Sequence, residues 1–150
     1  MTTATKDTGW LLTAGYLVGP VRLGAVYTRQ KLEPLPGRNT DVNAWHVAAY
    51  WKISGPHGLK VSYTQAGDTK GNGVAVAAMN PTTRPAPGNS TGAKLWQARY
   101  VHTFSKRTEG DFGYVKLNND ARAAYSLGGL PAPAAGTDQS AWFMTLTHRF

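Results

Sequence analysis

The chain has 150 residues, with 16 lysines and arginines against 8 aspartates and glutamates, so its formal net charge is +8 with neutral histidines. That length allows at most one ordinary domain. A hydrophobic fraction of 41% excludes a disordered basic tail, and a charged fraction of 16% is low for a water-soluble protein. The absence of cysteine excludes disulfide frameworks, thiolate metal sites and cysteine nucleophiles.

The positive charge is spread evenly along the chain. Residues 1–75 and residues 76–150 each carry eight basic and four acidic side chains. Nucleic-acid-binding proteins instead concentrate their basic residues in a run or a stripe. The charge distribution therefore argues against a nucleic-acid partner.

Segments of about ten residues alternate apolar and polar side chains, and the 17 glycines and 9 prolines separate them. This period predicts β-strands rather than helices, and no apolar run is long enough for a membrane-spanning helix. Seven strands are predicted, at residues 9–18, 21–32, 42–54, 58–67, 93–104, 110–118 and 139–150. Residues 1–8 form an N-terminal extension without the features of a secretory signal, so we expect either an intracellular protein or a missing beginning.

Connections between the predicted strands alternate in length. Tight turns are expected at residues 19–20, 55–58 and 105–108, and longer loops at residues 33–41, 68–92 and 119–138. All short turns would then lie at one edge of a sheet and all long loops at the other. Transmembrane β-barrels have this asymmetry, with short periplasmic turns and long outer loops.

Five of the seven predicted strands have an apolar face opposite a polar one. In the strands at 9–18 and 110–118 the facing stays open, because Gly15 and Gly113 interrupt the alternation. In the strand at 42–54 the apolar face carries Trp45, Val47, Ala49, Trp51 and Ile53. A soluble sandwich hides such a face, whereas a membrane barrel exposes it to lipid. Basic residues keep to the opposite face, where a charge avoids the cost of facing lipid. The predicted pore-lining residues are Arg22, His46, Tyr50, Lys52, Lys60, Arg99 and Arg149.

Aromatic residues recur at a common depth. Trp10, Trp45, Trp96 and Trp142 each open a strand that follows a long loop or the N-terminal segment. Eight residues further on the same face come Val18, Ile53, Phe104 and Phe150, about 20 Å away in a tilted strand. Amphipathic rings prefer the membrane interface. The predicted membrane-interface aromatics are Trp10, Trp45, Trp51, Trp96, Phe104, Trp142 and Phe150.

Residues 105–118 resemble the penultimate strand, with its preceding turn, of the Gram-negative general-diffusion porins, and residues 119–127 resemble their last outer loop. Residues 138–150 resemble their final strand, whose terminal Phe is read by the outer-membrane assembly machinery. The residues corresponding to that assembly signal are Trp142, Met144, Leu146, His148 and Phe150. His148 departs from the aromatic residue that often occupies its position in the family.

The resemblance implies an all-β fold, an antiparallel transmembrane β-barrel. It also implies a passive channel for small hydrophilic solutes and ions, contact with outer-membrane lipid, and a homotrimer for the full-length parent of sixteen strands. Seven antiparallel strands would leave the first and last strands parallel, whereas bacterial barrels use an even number. We therefore expect residues 1–150 to be the C-terminal part of one porin domain.

The basic residues on the polar face predict a modest anion preference, because cationic rings lower the barrier for anions. No cofactor and no metal site are expected, since the four histidines lack metal-ligand spacing. No set of nucleophile, base and orienting residue can be assembled, so an outer-membrane β-barrel enzyme is disfavoured. The remaining alternative is a soluble β-sandwich that binds a ligand through its long loops.

Overall fold

The computed structural model describes residues 6–74, 76–77 and 83–150. Seven long strands make up most of its main sheet. Three strands of two residues each come between the fourth and the fifth long strand in the sequence. The strands are β1 Thr8–Val18, β2 Val21–Leu35, β3 Arg38–Ser54, β4 His57–Ala66, β5 Lys70–Gly71, β6 Val76–Ala77, β7 Thr83–Arg84, β8 Ala93–Ser105, β9 Thr108–Asn119 and β10 Gln139–His148.

The long strands pair antiparallel in the order β1, β2, β3, β4, β8, β9, β10. The short strand β5 pairs with β3, and β6 pairs with β7 in a separate ribbon. The all-β prediction is confirmed. In the described residues β1 pairs only with β2 and β10 only with β9, so the sheet is open, as in part of a barrel.

The predicted long loop at residues 33–41 is wrong. Strands β2 and β3 extend to Leu35 and Arg38 and meet in a tight turn, where Gly37 adopts a φ of 70°. The Glu33 carboxylate accepts a hydrogen bond from the Gly37 amide at 2.7 Å. Polar residues continue the strands here because the hairpin projects beyond the apolar part of the sheet, so alternation of polarity stops while strand pairing does not.

An ion pair helps to hold this projecting hairpin together. The Arg29 guanidinium donates to both carboxylate oxygens of Asp41 across the β2–β3 ladder, with its shortest contact at 2.5 Å. The residues sit diagonally, because Arg29 pairs in register with Asn43 and Asp41 with Lys31. Such a two-pronged contact fixes geometry as well as charge.

Most large apolar side chains on one face of the sheet are exposed rather than buried. We call the face that carries Trp45 and its register partners the outward face, and the face that carries Lys60 and Arg99 the inward face. On the outward face of β10, the exposed fractions of Trp142, Met144 and Leu146 are 68%, 82% and 71%. No second sheet covers this face among the described residues. The arrangement is the inverse of a soluble sandwich.

A small core lies on the inward face, under the last long loop. Ala93 of β8, Leu117 of β9 and Leu127 of the loop form its buried centre, and partly buried side chains surround them. These side chains are Leu95, Val115, Tyr125 and Ala141. The loop after β9 therefore folds back over the wall instead of extending away from it.

The register reveals a continuous aromatic girdle on the outward face. Strands running away from the long-loop edge carry tryptophan, and the returning strands carry tyrosine. The girdle consists of Trp10, Tyr27, Trp45, Tyr63, Trp96, Tyr114 and Trp142. Ring centroids of successive members lie 5.2 Å apart for Trp10 and Tyr27, and 4.9 Å apart for Tyr114 and Trp142.

The girdle also gives the inclination of the strands. In register, Tyr27 is level with Trp45, but Trp10 is level with Arg29, two residues further along β2. The same two-residue step recurs between β3 and β4 and between β8 and β9. Because the pairs in between are level, the girdle shifts on average by about one residue per strand. With about 3.3 Å per residue and 4.8 Å between strands, a level girdle requires a tilt of roughly 35°. Membrane barrels have this tilt.

Candidate pore wall

The predicted polar residues gather in one row of the inward face. Tyr50 of β3 pairs in register with Arg22 of β2 and with Lys60 of β4, and Lys60 pairs with Arg99 of β8. Because paired residues point to the same side of a sheet, these four side chains stand next to one another. Lys52 occupies the next row towards the short-turn edge. The structure therefore brings together five of the seven residues predicted to line a pore.

Arg22, Tyr50, Lys60 and Arg99 border a concavity of about 350 Å³ on the inward face. The Lys60 ammonium lies 5.4 Å from the centre of the Tyr50 ring, within the range of a cation–π contact. Gly58 makes room for that ring, since a Cβ at position 58 would come within 2.7 Å of it. The tyrosine is therefore held flat against the wall beside the cations.

Two carboxylates on β9 offset part of the positive charge of the basic row. The Lys60 ammonium lies 3.1 Å from a Glu109 oxygen, and the Arg99 guanidinium lies 3.2 Å from an Asp111 oxygen. Sequence reasoning missed both acids because Gly113 interrupts the alternation of β9 and left its facing undecided. The register settles that facing, since Asp111 pairs with Val101 and with Thr145 on the inward face.

Arg22 and Lys52 form no ion pair with the described part of the chain. Counting both ion pairs, the four inward cations and two inward acids named above leave a net charge of +2 on this wall. The wall therefore remains positively charged, as predicted, but its net charge is half of what the four cations alone would give.

The remaining predicted pore residues, His46 and Arg149, lie outside this row, but His46 borders the same concavity as Arg22, Tyr50, Lys60 and Arg99. His46 is on the inward face of β3, four residues nearer the long-loop edge than Tyr50, and its Nδ1 lies 2.7 Å from the Thr64 hydroxyl. Arg149 follows the end of β10, and its amide donates to the Arg107 carbonyl at 2.9 Å. Its place is at the short-turn edge rather than on the wall.

The predicted interface aromatics occupy two levels of the outward face. Trp10, Trp45, Trp96 and Trp142 belong to the girdle, and Tyr27, Tyr63 and Tyr114 join them as members that the sequence analysis did not name. Phe104 and Phe150 lie near the short-turn edge, with exposed fractions of 63% and 106%. Trp51 lies six residues beyond Trp45 on the same face, level with Val21 and Leu59, and so outside the girdle.

The residues of the predicted assembly signal form one exposed stripe. Trp142, Met144, Leu146 and His148 follow one another on the outward face of β10 and pair with residues of β9. The other edge of β10 has no partner strand among the described residues. Phe150 extends past the strand, and its ring lies against the His148 ring, at 5.0 Å between centroids. The stripe is accessible from the side and from the end.

Asp68 ties down the base of the longest loop. One of its carboxylate oxygens accepts hydrogen bonds from the Thr91 amide at 2.7 Å and the Gly92 amide at 3.0 Å. These backbone donors hold the pKa of Asp68 below its usual value, with the Thr91 amide contributing most and the Thr91 hydroxyl adding to them. The loop is thus clamped where it meets the sheet. Residues 75 and 78–82 lie outside the described residues.

A family model described as Gram-negative porin matches residues 1–140. The chain belongs to the Gram-negative porin family. Among solved structures, the anion-selective porin from Comamonas acidovorans superposes with a TM-score of 0.76 at 23% sequence identity. The match covers 97% of this chain and 40% of that porin, so the chain spans less than half of its length. No curated protein is significantly similar in sequence.

Porins are channels of the outer membrane rather than enzymes, and that location accounts for the exposed apolar face of this porin chain. None of the described residues forms a helix suited to crossing a membrane. In the described ranges, no three side chains among histidine, aspartate and glutamate come together in a way that could hold a metal ion.

Proposed function

We propose that this porin chain forms one side of a passive aqueous channel with a modest preference for anions. The observation that carries the proposal is the row of Arg22, Tyr50, Lys60 and Arg99 on the inward face, opposite a continuous lipid-facing surface. An Arg or Lys facing lipid at mid-depth costs about 2–4 kcal/mol, so water must cover that row. Fixed cations along a water-filled wall favour anions.

The ion pairs set the size of this preference. Glu109 and Asp111 offset two of the four cations, which leaves a weak net field rather than a strongly charged ring. Unpaired Arg22 and Lys52 supply the excess. The fold of this chain resembles that of a porin named as anion-selective, which agrees in sign with the wall described here.

The open sheet defines the partners that we propose. Strands β1 and β10 run in the same direction and each has one free edge, so closure needs further strands between them. We propose that a longer porin supplies those strands, that this parent is a homotrimer, and that the stripe ending at Phe150 is recognised by the assembly machinery. Outer-membrane lipid covers the outward face.

The test is the reversal potential in a planar bilayer under a salt gradient, with the chain refolded alone and together with the first nine strands of a sixteen-stranded porin. We expect stable step conductance and anion selectivity in the combined sample. Replacing both Arg22 and Lys52 by glutamine should move the reversal potential towards cation preference, and Glu109→Gln with Asp111→Asn should move it the other way. Unchanged potentials in both double variants would refute the selectivity proposal, whereas loss of conductance would refute the channel itself.

A further inference from the structure

Three polar side chains interrupt the apolar outward face near its short-turn edge. His57 is the first residue of β4, directly after the turn at residues 55–56, and it pairs in register with His102 of β8. Tyr100 lies two residues before His102 and therefore points to the same side. Opposed side chains of an antiparallel pair have Cβ atoms about 4.5–5.5 Å apart. The three residues are thus placed to act on one small ligand.

Their polar atoms converge. The His57 Nδ1 is hydrogen-bonded to the Tyr100 hydroxyl, and that same hydroxyl lies 3.3 Å from the His102 Nδ1. The two imidazole centroids are 5.2 Å apart with their planes at 59°. Because a phenol carries a single proton, it can donate to only one of the two nitrogens. The other Nδ1 must carry its own proton and donate to the oxygen.

Among the described residues of β3, β4, β8 and β9, no charged side chain shares this part of the outward face. The neighbours on the same side are Leu59 of β4, Trp51 and Ile53 of β3, Phe104 of β8, and Gly110 and Phe112 of β9. Arg99 and Asp111 belong to the inward face. In the part of the chain that the structure describes, the strong metal-donor atoms at the cluster are therefore two imidazole nitrogens and one phenol oxygen.

We propose that His57, Tyr100 and His102 bind a divalent transition-metal ion through the two Nδ1 atoms and the phenol oxygen. Imidazole suits Zn²⁺, Ni²⁺ and Cu²⁺, and Cu²⁺ binds such ligand sets most tightly. Metal–nitrogen bonds of about 2.0–2.1 Å allow one ion to replace the two hydrogen bonds that now join the three atoms. Water completes the coordination from the side of the turn.

Loss of one proton on metal binding lowers the charge of the site, which suits a position at the edge of the membrane. Both imidazoles adopt the tautomer with the proton on Nε2, so their Nδ1 lone pairs face the ion and no proton leaves them. The phenol proton passes to water, and the bound site carries a charge of +1 instead of +2. A lower charge reduces the desolvation cost at the edge of the membrane.

The depth of the cluster agrees with this chemistry. His102 lies six residues from girdle member Trp96, and Phe104 lies eight. At a tilt of 35° these separations correspond to about 16 Å and about 22 Å from the girdle. His57 lies six residues from girdle member Tyr63 and is therefore at the same depth as His102. The ion would therefore lie at the periplasmic interface, where it can be exchanged with water.

The test uses the complete chain folded in detergent micelles and titrated with Cu²⁺ alone. We expect one tightly held ion per chain, a nitrogen splitting pattern from two imidazoles in the electron paramagnetic resonance spectrum, and a visible phenolate-to-copper absorption band. Tyr100→Phe should remove that band and keep both nitrogens. His57→Phe or His102→Phe should leave one nitrogen and weaken binding by at least about tenfold.

The matched control is His148→Phe, which alters another outward-facing histidine at the same edge and should change neither spectrum nor affinity. The double variant His57→Phe with His102→Phe gives the background from all other ligands. Copper uptake by the wild type equal to this background, or a two-nitrogen spectrum that survives in the double variant, would overturn the proposal. Far-UV circular dichroism verifies that each variant is folded. Conductance plays no part, so failure here is separate from failure of the proposed channel.

Discussion

Ala48 and Ala49 allow the two faces of the sheet to be compared with nearly everything else held constant. They are consecutive residues of β3 and point to opposite sides. Ala49 is on the outward face, paired with Leu23 and Val61, whereas Ala48 is on the inward face, paired with Gly24 and Ser62. Replacing each by lysine introduces the same side chain at the same height.

The expected loss of stability in Ala49→Lys follows from the depth of residue 49 in the membrane. Ala49 lies four residues from Trp45 and four from Ile53, which at a tilt of 35° places it about 11 Å from each level. A lysine at this mid-depth position costs about 2–4 kcal/mol, and a lysine on the inward side meets water. The free energy of unfolding of Ala49→Lys should fall below that of Ala48→Lys by this amount. At about 1.36 kcal/mol per factor of ten, the folding equilibrium constants differ by about 30-fold to 900-fold.

The assay is denaturant unfolding in phospholipid vesicles, followed by tryptophan fluorescence and by heat-modifiable migration on gels. Ala25→Lys is an internal control, because Ala25 is also outward but lies two residues from girdle member Tyr27. A lysine there can extend its ammonium group to the interface, so its cost should lie between those of the other two. Equal stabilities for Ala48→Lys and Ala49→Lys would refute the assignment of the outward face to lipid.

Three further outcomes are expected. Asp68 should clamp its loop fully above the pKa of an unfolded aspartate and release it as the pH falls through its lowered folded-state pKa. The Thr91 and Gly92 amides should therefore lose protection from hydrogen exchange, measured against an unstructured peptide at the same pH, as the solution becomes acidic. Asp68→Asn should remove that protection already at neutral pH, and protection equal to that of the wild type would contradict the clamp. Gly113→Ala should destabilise the chain by about 1–3 kcal/mol in the same unfolding assay, because a Cβ there would lie 2.6 Å from both the Phe143 ring and the Arg99 Cβ. The control Gly15→Ala should destabilise it much less, since the nearest atom to a Cβ at position 15 is 3.7 Å away. Equal losses of unfolding free energy in the two variants would argue against that packing. Phe150→Ala should leave unfolding stability unchanged, since Phe150 is fully exposed, but should slow insertion assisted by the assembly machinery; insertion at the wild-type rate would remove Phe150 from the signal.

The period of the sequence was sufficient to predict the seven long strands and, for five of them, which side chains lie on the apolar face and which on the polar face; Gly15 and Gly113 left the facing of the strands at 9–18 and 110–118 undecided. Side chains alternate strictly along a strand, so the positions of Trp45, Val47 and Trp51 against His46, Tyr50 and Lys52 identify an apolar and a polar side without any knowledge of neighbours. The prediction of the loop at 33–41 was wrong because strand pairing continued into polar residues beyond the girdle. Alternation of apolar and polar side chains predicts a strand only where one face of the sheet meets lipid or another apolar environment.

For five of the seven long strands, the side chains on either side follow from the sequence, because they depend on residues two apart in one chain. The tertiary structure alone decided which residues of different strands are neighbours. Register brings Glu109 and Asp111 to the cations of the wall, sets His57 beside His102, and joins tryptophans and tyrosines into one inclined girdle. A slip of one residue between two strands would break each of these contacts and leave the composition and period of the sequence unchanged.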